Sequence, residues 1–223
     1  MSVSPPAPSP DQTPDVQGID MRGRILASAT RLFADEGYAA TSFQRIANDV
    51  GVRKQSLLHW FPNKAALRES VLDSLMDHWQ DLVPQVLLAA STGENRFDDA
   101  VEEVVAFFAA DRDRARLLLR EILDRPHAMR QRIATRLRPW APLVLRYVRA
   151  GQREGRIHRD LDPEAWLVEV IILLVGSFAV DGVVVGILDE DRKVARARRT
   201  AELLRLARSS LFCAPPAPAP LED

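Results

Sequence analysis

The stretch Thr41–Lys64, TSFQRIANDVGVRKQSLLHWFPNK, decides how this chain is read. It divides at Gly51 into two short helical segments. Phe43, Ile46, Ala47 and Val50 make a buried stripe on the first, while Val52, Leu57 and Phe61 can pack inward from the second. Thr41 opens the first segment, and Gln44, three residues on, completes the spacing of a capping box. The second segment runs from about Arg53 to Trp60 and is stopped by Pro62. It carries Lys54, Gln55, Ser56, Leu58 and His59 off its apolar side. Two such helices can present the second edge-on to the major groove of DNA. The alternative at this point is three small helices of an ordinary bundle with a polar outer face.

Working outward, the period stays helical. A first helix is expected from about Asp20 to Glu36, with Ile25, Leu26, Ala29, Leu32 and Phe33 on one face and Gly37 placed for a left-handed cap. Asn63 caps a fourth helix, 64–83, whose Leu67, Val71, Leu75 and Trp79 recur every four residues, and Pro84 should end or kink it. Helical stretches follow at about 96–110, 113–124 and 128–154, the last closed by Gly155. Asp162-Pro163 then starts a long apolar helix to about Leu188, and a final helix covers about 190–211. No alternating β-branched run is present. The fold class is all-α, with about nine helices. Residues 1–18 and 213–223 are Pro-rich tails outside the fold.

The composition is that of a globular protein: 223 residues, 47% hydrophobic and 6% aromatic. The formal net charge is only −1, but it is unevenly spread. Between Arg22 and Arg68 eight basic residues stand against three acidic ones, a local +5, so the rest of the chain carries −6. A basic segment on an acidic remainder suits contact between one part and a polyanion. Cys213 is the lone cysteine, so no intrachain disulfide can form. No n-region followed by an apolar h-region opens the chain, and the expected location is cytoplasmic.

The chemistry of the exposed face fits DNA. Gln55 can bond adenine bidentately, Lys54 can reach guanine, Ser56 and His59 can serve several base edges, and Leu58 can meet a thymine methyl. Lys64 falls in the first turn of the fourth helix, where free N–H groups already favour an anion. Thr41 and Ser42 offer hydroxyls and amides at the start of the other helix. Arg45 and Arg53 add cationic side chains beside them.

The segment RILASATRLFADEGYAATSFQRIANDVGVRKQSLLHWFPNKAALRESV resembles the N-terminal domain of the TetR family of bacterial transcription regulators. The resemblance rests on Leu32-Phe33, Gly37-Tyr38, Thr41-Ser42, Ile46-Ala47, Gly51-Val52, Phe61, Lys64 and Leu67. It is close over about 22–70; beyond that it lies in the helical layout and the GRIHRDLDPE stretch. The resemblance implies a helix-turn-helix DNA-binding domain over 19–66 and an effector-binding and dimerisation domain over 67–212. By the family's roles Thr41, Ser42 and Lys64 are phosphate contacts, and Lys54, Gln55, Ser56 and His59 are candidate base readers. Three departures bear on the operator sequence: Arg53 stands where Ser or Thr usually caps the recognition helix, Gln55 where Gly or Ala is frequent, and Leu58 where Tyr is frequent. Losing that cap should cost about 1 kcal/mol.

The apolar stretch WLVEVIILLVGSFAVDGVVVGIL, Trp166–Leu188, is long enough to span a bilayer, but Glu169 and Asp181 argue against insertion. Gly182 and Gly186 have GxxxG spacing, which permits close helix approach. A helix apolar nearly all round must be covered on most sides. The resemblance implies cover by a second copy, through Trp166, Val170, Leu173, Leu174, Phe178, Gly182, Leu203, Leu204 and Leu211; a purely intramolecular core helix is the alternative. It also implies a pocket for a small-molecule effector, with Met76, Trp79, Phe107, Phe108, Arg120 and Trp140 as candidates, though aromatic residues also simply fill cores. His59, His78, His127 and His158 are scattered, and no HExxH, CxxC, phosphate loop or GxSxG motif is present. No enzyme, cofactor or metal is expected. The expected protein is a homodimeric repressor that binds a palindromic operator and is released by an unidentified effector. The other class of reading is a helical scaffold that uses the same headpiece for packing.

Overall fold

The computed structural model describes residues 16–90, 96–184, 187 and 191–213; side chains are described from Met21 on, except those of 78–90, 96–100 and 192. Residues 1–15 and 214–223, most of both expected tails, lie outside the described residues. Among the described residues there are eleven helices and no strand: α1 (Val16–Asp35), α2 (Phe43–Val50), α3 (Lys54–Trp60), α4 (Lys64–Ala90), α5 (Arg96–Ala110), α6 (Arg112–Asp124), α7 (Pro126–Arg136), α8 (Ala141–Arg153), α9 (Pro163–Ala179), α10 (Asp181–Val184) and α11 (Arg192–Leu211).

The headpiece is α1–α3 with the start of α4. Ile25, Ala29, Leu32, Phe33, Ile46, Ala47, Leu57, Phe61, Leu67 and Val71 all turn inward. The repeats of three and four residues in the sequence are the physical reason they can. Behind the headpiece, α6 runs through the body and packs on α9 on one side and α1 on the other. Met76, Phe107, Phe108, Leu117 and Phe178 make the body's centre.

The sequence expectation fails at three breaks. Of the two outcomes expected at Pro84, the helix does not end there but runs on to Ala90; a proline removes one hydrogen bond, which a helix can survive. The expected helix 128–154 is two helices, α7 and α8, separated by turns at Leu137–Trp140. Pro139 lacks an N–H and disfavours helical backbone at Arg138, and Pro142 is preorganised for the first turn of α8. The expected helix to Leu188 stops at Ala179 and turns at Val180 (φ −97°, ψ 2°). These two splits take the count from nine to eleven. Val16 also lies inside α1, so that helix starts earlier than Asp20, soon after Pro14.

The break at Val180 serves Asp181. This carboxylate is only 5% exposed. It receives Arg112 from α6 at 3.0 Å, and Arg196 and Arg199 from α11 at 2.9 and 2.7 Å. Burial pulls the Arg112 guanidinium below its ordinary range, opposed by Asp181. A buried charge needs such partners, and Asp181 meets them directly after the break. At the other end of α9, Ile157 and Phe212 form an isolated antiparallel bridge. Ile157 presses on Gly151 so closely that a Cβ there would collide with it.

None of the described helices is long and apolar enough to cross a membrane.

Candidate nucleic-acid interface

α2 and α3 are built by their ends. Ser42 caps α2: its hydroxyl accepts the Arg45 N–H at 3.0 Å. Gly51 closes α2 in the left-handed region (φ 80°), where a side chain would be strained. Arg53 stands at the N-cap of α3 and makes no side-chain cap bond, so α3 lacks a contribution of about 1 kcal/mol. It is held instead by Leu57, fully buried, and by Phe61 behind it. Asn63 caps α4 by accepting the Ala66 N–H at 2.8 Å.

Opposite Leu57, the side chains of Arg53, Lys54, Gln55, Ser56, Leu58 and His59 are exposed. The structure therefore gathers six of the ten predicted contact residues on one helix edge. Ser42 and Arg45 are also exposed, on α2 and its cap, and Arg45 is paired with Glu36 at 3.2 Å.

The remaining two are placed otherwise. Thr41 is not the cap of α2. Its side chain is fully buried, and its hydroxyl donates to the Gly37 carbonyl at 2.8 Å, with the Leu32 carbonyl a second acceptor within reach at 3.2 Å. Gln44 does not close a capping box either; its amide donates to Asn48 at 2.7 Å. Lys64 points back into the protein. Its ammonium donates to the carbonyls of Tyr38 (2.8 Å), Thr41 (2.9 Å) and, more weakly, Ala39 (3.5 Å). It also lies 4.3 Å from the centre of the Tyr38 ring. Three donors facing three carbonyls tie α4 to the α1–α2 turn. Lys64→Met is expected to lower headpiece stability by about 2–3 kcal/mol, since hydrogen bonds to a charged group are lost together. Thermal unfolding checks this, and a change below about 0.5 kcal/mol would show the ammonium to be idle.

Tyr38 is a hub that sequence reasoning missed. Arg68 covers its ring at 4.1 Å, and Phe33 packs at 5.5 Å. The signal was the Lys64/Arg68 pair, four residues apart on one helix face. Gly37, at φ 86°, lets the chain turn there, and Arg120 sits where a Cβ would stand.

Charge pairs lock the rest. Asp49 accepts Ser28 at 2.6 Å and Arg31 at 2.5 Å. The Ser28 hydroxyl and then the Arg31 guanidinium hold its carboxyl below the usual range. A depressed carboxylate stabilises the fold above its unfolded value near 3.9, and the contribution is lost as pH falls through the lower folded value. Asp49→Asn is expected to remove about 1 kcal/mol at pH 7 and to flatten the acid limb of the unfolding profile. An acid limb identical to wild type would contradict this. Arg116 of α6 bridges Asp35 of α1 (2.5 Å) and Asp113 (3.0 Å), joining headpiece to body. Glu69 and Asp73 on α4 meet Arg132 of α7, while Arg136 meets Asp73 at 3.1 Å and Asp77 at 2.7 Å.

The predicted effector residues do not form one group. Met76, Phe107 and Phe108 are buried in the body core, where Phe107 meets Phe108 at 5.1 Å and Phe108 stacks on Phe178 at 5.9 Å. Arg120 instead packs on Gly37 of the headpiece, Trp140 is half-buried in the α7–α8 turn, and the Trp79 side chain lies outside the described residues. The predicted dimer residues also divide. Trp166, Val170, Leu174, Phe178, Leu203 and Leu211 are buried in the subunit's own core, because α9 packs one face on α6. Leu173 is exposed, Leu204 half-buried, and Gly182 has open space around it; Gly186 lies outside the described residues. The uncovered apolar face of α9 is Val168, Ile171, Ile172 and Leu173, with Leu206 exposed on α11. Among the described residues no His/Cys/Asp/Glu group has the arrangement to hold a metal ion.

Residues 25–71 match the profile of the bacterial regulatory proteins of the tetR family, and residues 117–201 that of the tetracyclin repressor-like C-terminal domain. Together the two cover more than half of the chain. The HTH-type transcriptional activator FasR of Mycolicibacterium smegmatis is 32% identical over 99 residues, 44% of this chain and 45% of that protein. The HTH-type transcriptional regulator RutR of Escherichia coli is 40% identical over 55 residues, 25% of this chain and 26% of that one. The chain thus spans half or less of the length of these curated relatives. The solved ketosteroid transcriptional regulator KstR2 of Mycobacterium tuberculosis shares the fold, with a TM-score of 0.66 at 17% identity over 86% of this chain and 95% of that one.

Proposed function

The chain belongs to the TetR family of bacterial regulatory proteins, and from that premise we propose that it is a DNA-binding transcriptional repressor acting as a homodimer. The observation that carries the reading is the exposed edge of α3: Lys54, Gln55, Ser56 and His59 stand clear of the protein on a helix whose other side is locked by Leu57. Arg53 and Lys54 make no ion pair among the described residues, so their charge is available to phosphate or guanine. Ser42 and Arg45 at the start of α2 are the flanking phosphate contacts. Lys64 and Thr41 support the reading indirectly, by fixing the turn that carries α2.

A second copy covers the open face of α9. Two-fold pairing sets the two α3 helices on half-sites about 34–36 Å apart or a multiple of it, so the operator is close to palindromic. A small apolar effector that loosens the Phe107–Phe108–Phe178 cluster moves α6, and through α6 the headpiece. To take the population from 99:1 to 1:99 it must distinguish the two states by about 5.5 kcal/mol.

Selection of bound fragments from a genomic library tests the reading. Two-fold-symmetric fragments are expected. Recovery of only salt-sensitive, sequence-indifferent fragments would sink it and favour a helical scaffold. With a selected duplex in hand, Gln55→Ala is expected to relax preference at one base position by about 1–3 kcal/mol. A uniform loss across all sequences would remove Gln55 from the readers.

A further inference from the structure

Two ionisable side chains meet at the seam between headpiece and body, and each holds a buried atom without a hydrogen-bond partner. Arg68 of α4 is 7% exposed and Glu121 of α6 is 4% exposed. Arg68 Nε and Glu121 Oε2 are both buried without a hydrogen-bond partner. The ion-pair contact of Glu121 is Arg125, at 4.0 Å, beyond hydrogen-bond reach. Burial pushes the Glu121 carboxyl above the usual range, although Arg68 and Arg125 act against it. Arg68 itself lies over the Tyr38 ring at 4.1 Å and reaches Glu69 at 3.4 Å. A buried acid and a buried base, both incompletely paired, on two helices that belong to different parts of the fold, are poorly satisfied as they stand.

We propose that Arg68 is a positioning residue with two alternative seats, the ring of Tyr38 and the carboxylate of Glu121, and that the choice between them sets the orientation of the DNA-reading unit. This rests on the regulator reading above and names the joint through which it is controlled. In the first seat Arg68 clamps Tyr38, whose carbonyl is held by Lys64 and whose neighbour Gly37 lies against Arg120. The α1–α2 turn is then fixed, and Thr41 with it, directly before the cap of α2. In the second seat Arg68 leaves the ring for a direct ion pair with Glu121, which fills both unpaired positions and frees the turn. A displacement of α6 relative to α4 changes seats, because packed interfaces switch between discrete arrangements. Glu121 thus competes with Tyr38 for one guanidinium.

The competition predicts a sign that a purely structural role does not. Removing the Glu121 charge without changing its shape leaves Arg68 only the Tyr38 seat, so the turn tightens. The measurement is amide hydrogen exchange of Thr41, whose N–H donates to the Gly37 carbonyl at 3.2 Å, in the full chain without DNA. Glu121→Gln is expected to slow this exchange about five-fold, the lower end of ordinary coupling between sites. Unchanged or faster exchange overturns the proposal. In a Tyr38→Ala background the same Glu121→Gln change is expected to have less than about a two-fold effect, since the seats no longer compete. A full five-fold effect there also overturns it. On a duplex recovered by selection, Glu121→Gln should bind about five-fold tighter, and slowed exchange with wild-type affinity refutes the link to DNA. If no duplex is recovered, the regulator reading fails on its own, while the exchange results still decide between one seat and two.

Discussion

On the proposed two-fold pairing through α9, Ile172→Asp is expected to leave single chains while each subunit stays folded. Ile172 is 57% exposed on α9 and flanked by Val168 and Ile171 on the same face, so the substitution disturbs little inside the subunit. In a two-fold interface every substitution appears twice, so two aspartates would enter one apolar contact. Each buried, unpaired carboxylate costs several kcal/mol. At about 1.4 kcal/mol per factor of ten, the dimer should weaken on the order of a thousand-fold. Sedimentation at micromolar concentration should show single chains, with a helical circular dichroism spectrum unchanged. Binding to a palindromic duplex should fall with it by about 10²–10⁴, the benefit that linking two heads confers. A variant that still sediments as a dimer would move the interface away from this face. A wild-type protein that is monomeric, with or without duplex, would end the proposal altogether.

Asp181→Ala is the substitution expected to damage the fold most. Its carboxylate gathers three guanidinium groups, from Arg112, Arg196 and Arg199. Removing it leaves those cations beside one another, and Arg112 Nε is already buried without a hydrogen-bond partner. Breaking a buried pair by deleting one partner costs about 3–5 kcal/mol. A sizeable part of ordinary domain stability is then lost. The body, not the headpiece, should unfold first, because the cluster joins α6, α10 and α11. Asp181→Glu should recover part of the loss by keeping the charge. Denaturant unfolding checks both; a loss under about 1 kcal/mol would mean that solvent compensates the arginines.

The fold was legible because it rests on local periodicity. The stripes of α1 and α2 and the inward position of Leu57 follow from spacing alone. Gly37 and Gly51 turn where they must, with φ of 86° and 80°. The split between α7 and α8 was also written in the chain, in Pro139 and Pro142. What could not be read were the contacts made by residues far apart. Thr41 and Ser42 are adjacent hydroxyls, either of which suits a cap. The choice is made by carbonyls of Leu32 and Gly37 that take Thr41 inside. Lys64 has the position of a phosphate ligand at a helix start, yet a turn some 25 residues earlier supplies its acceptors. Asp181 carried a hint, an acid in an apolar run, but its arginines stand 69, 15 and 18 positions away. The exposed edge of α3 was legible as a face. Which of its side chains meets a base is a property of the duplex, and no pattern in one chain contains it.

The bridge between Ile157 and Phe212 has a practical outcome. It pins the end of α11 beside the loop before α9, with Cys213 donating its amide to the Arg156 carbonyl at 3.0 Å. α9 has 17 residues, so about 25 Å of helix separates this point from the Asp181 end. The chain's lone thiol is therefore a ready-made handle at the opposite end of α9 from Asp181. A spin label or fluorophore attached there would report the spacing of the two protomers of the proposed dimer while leaving the exposed edge of α3 unmodified.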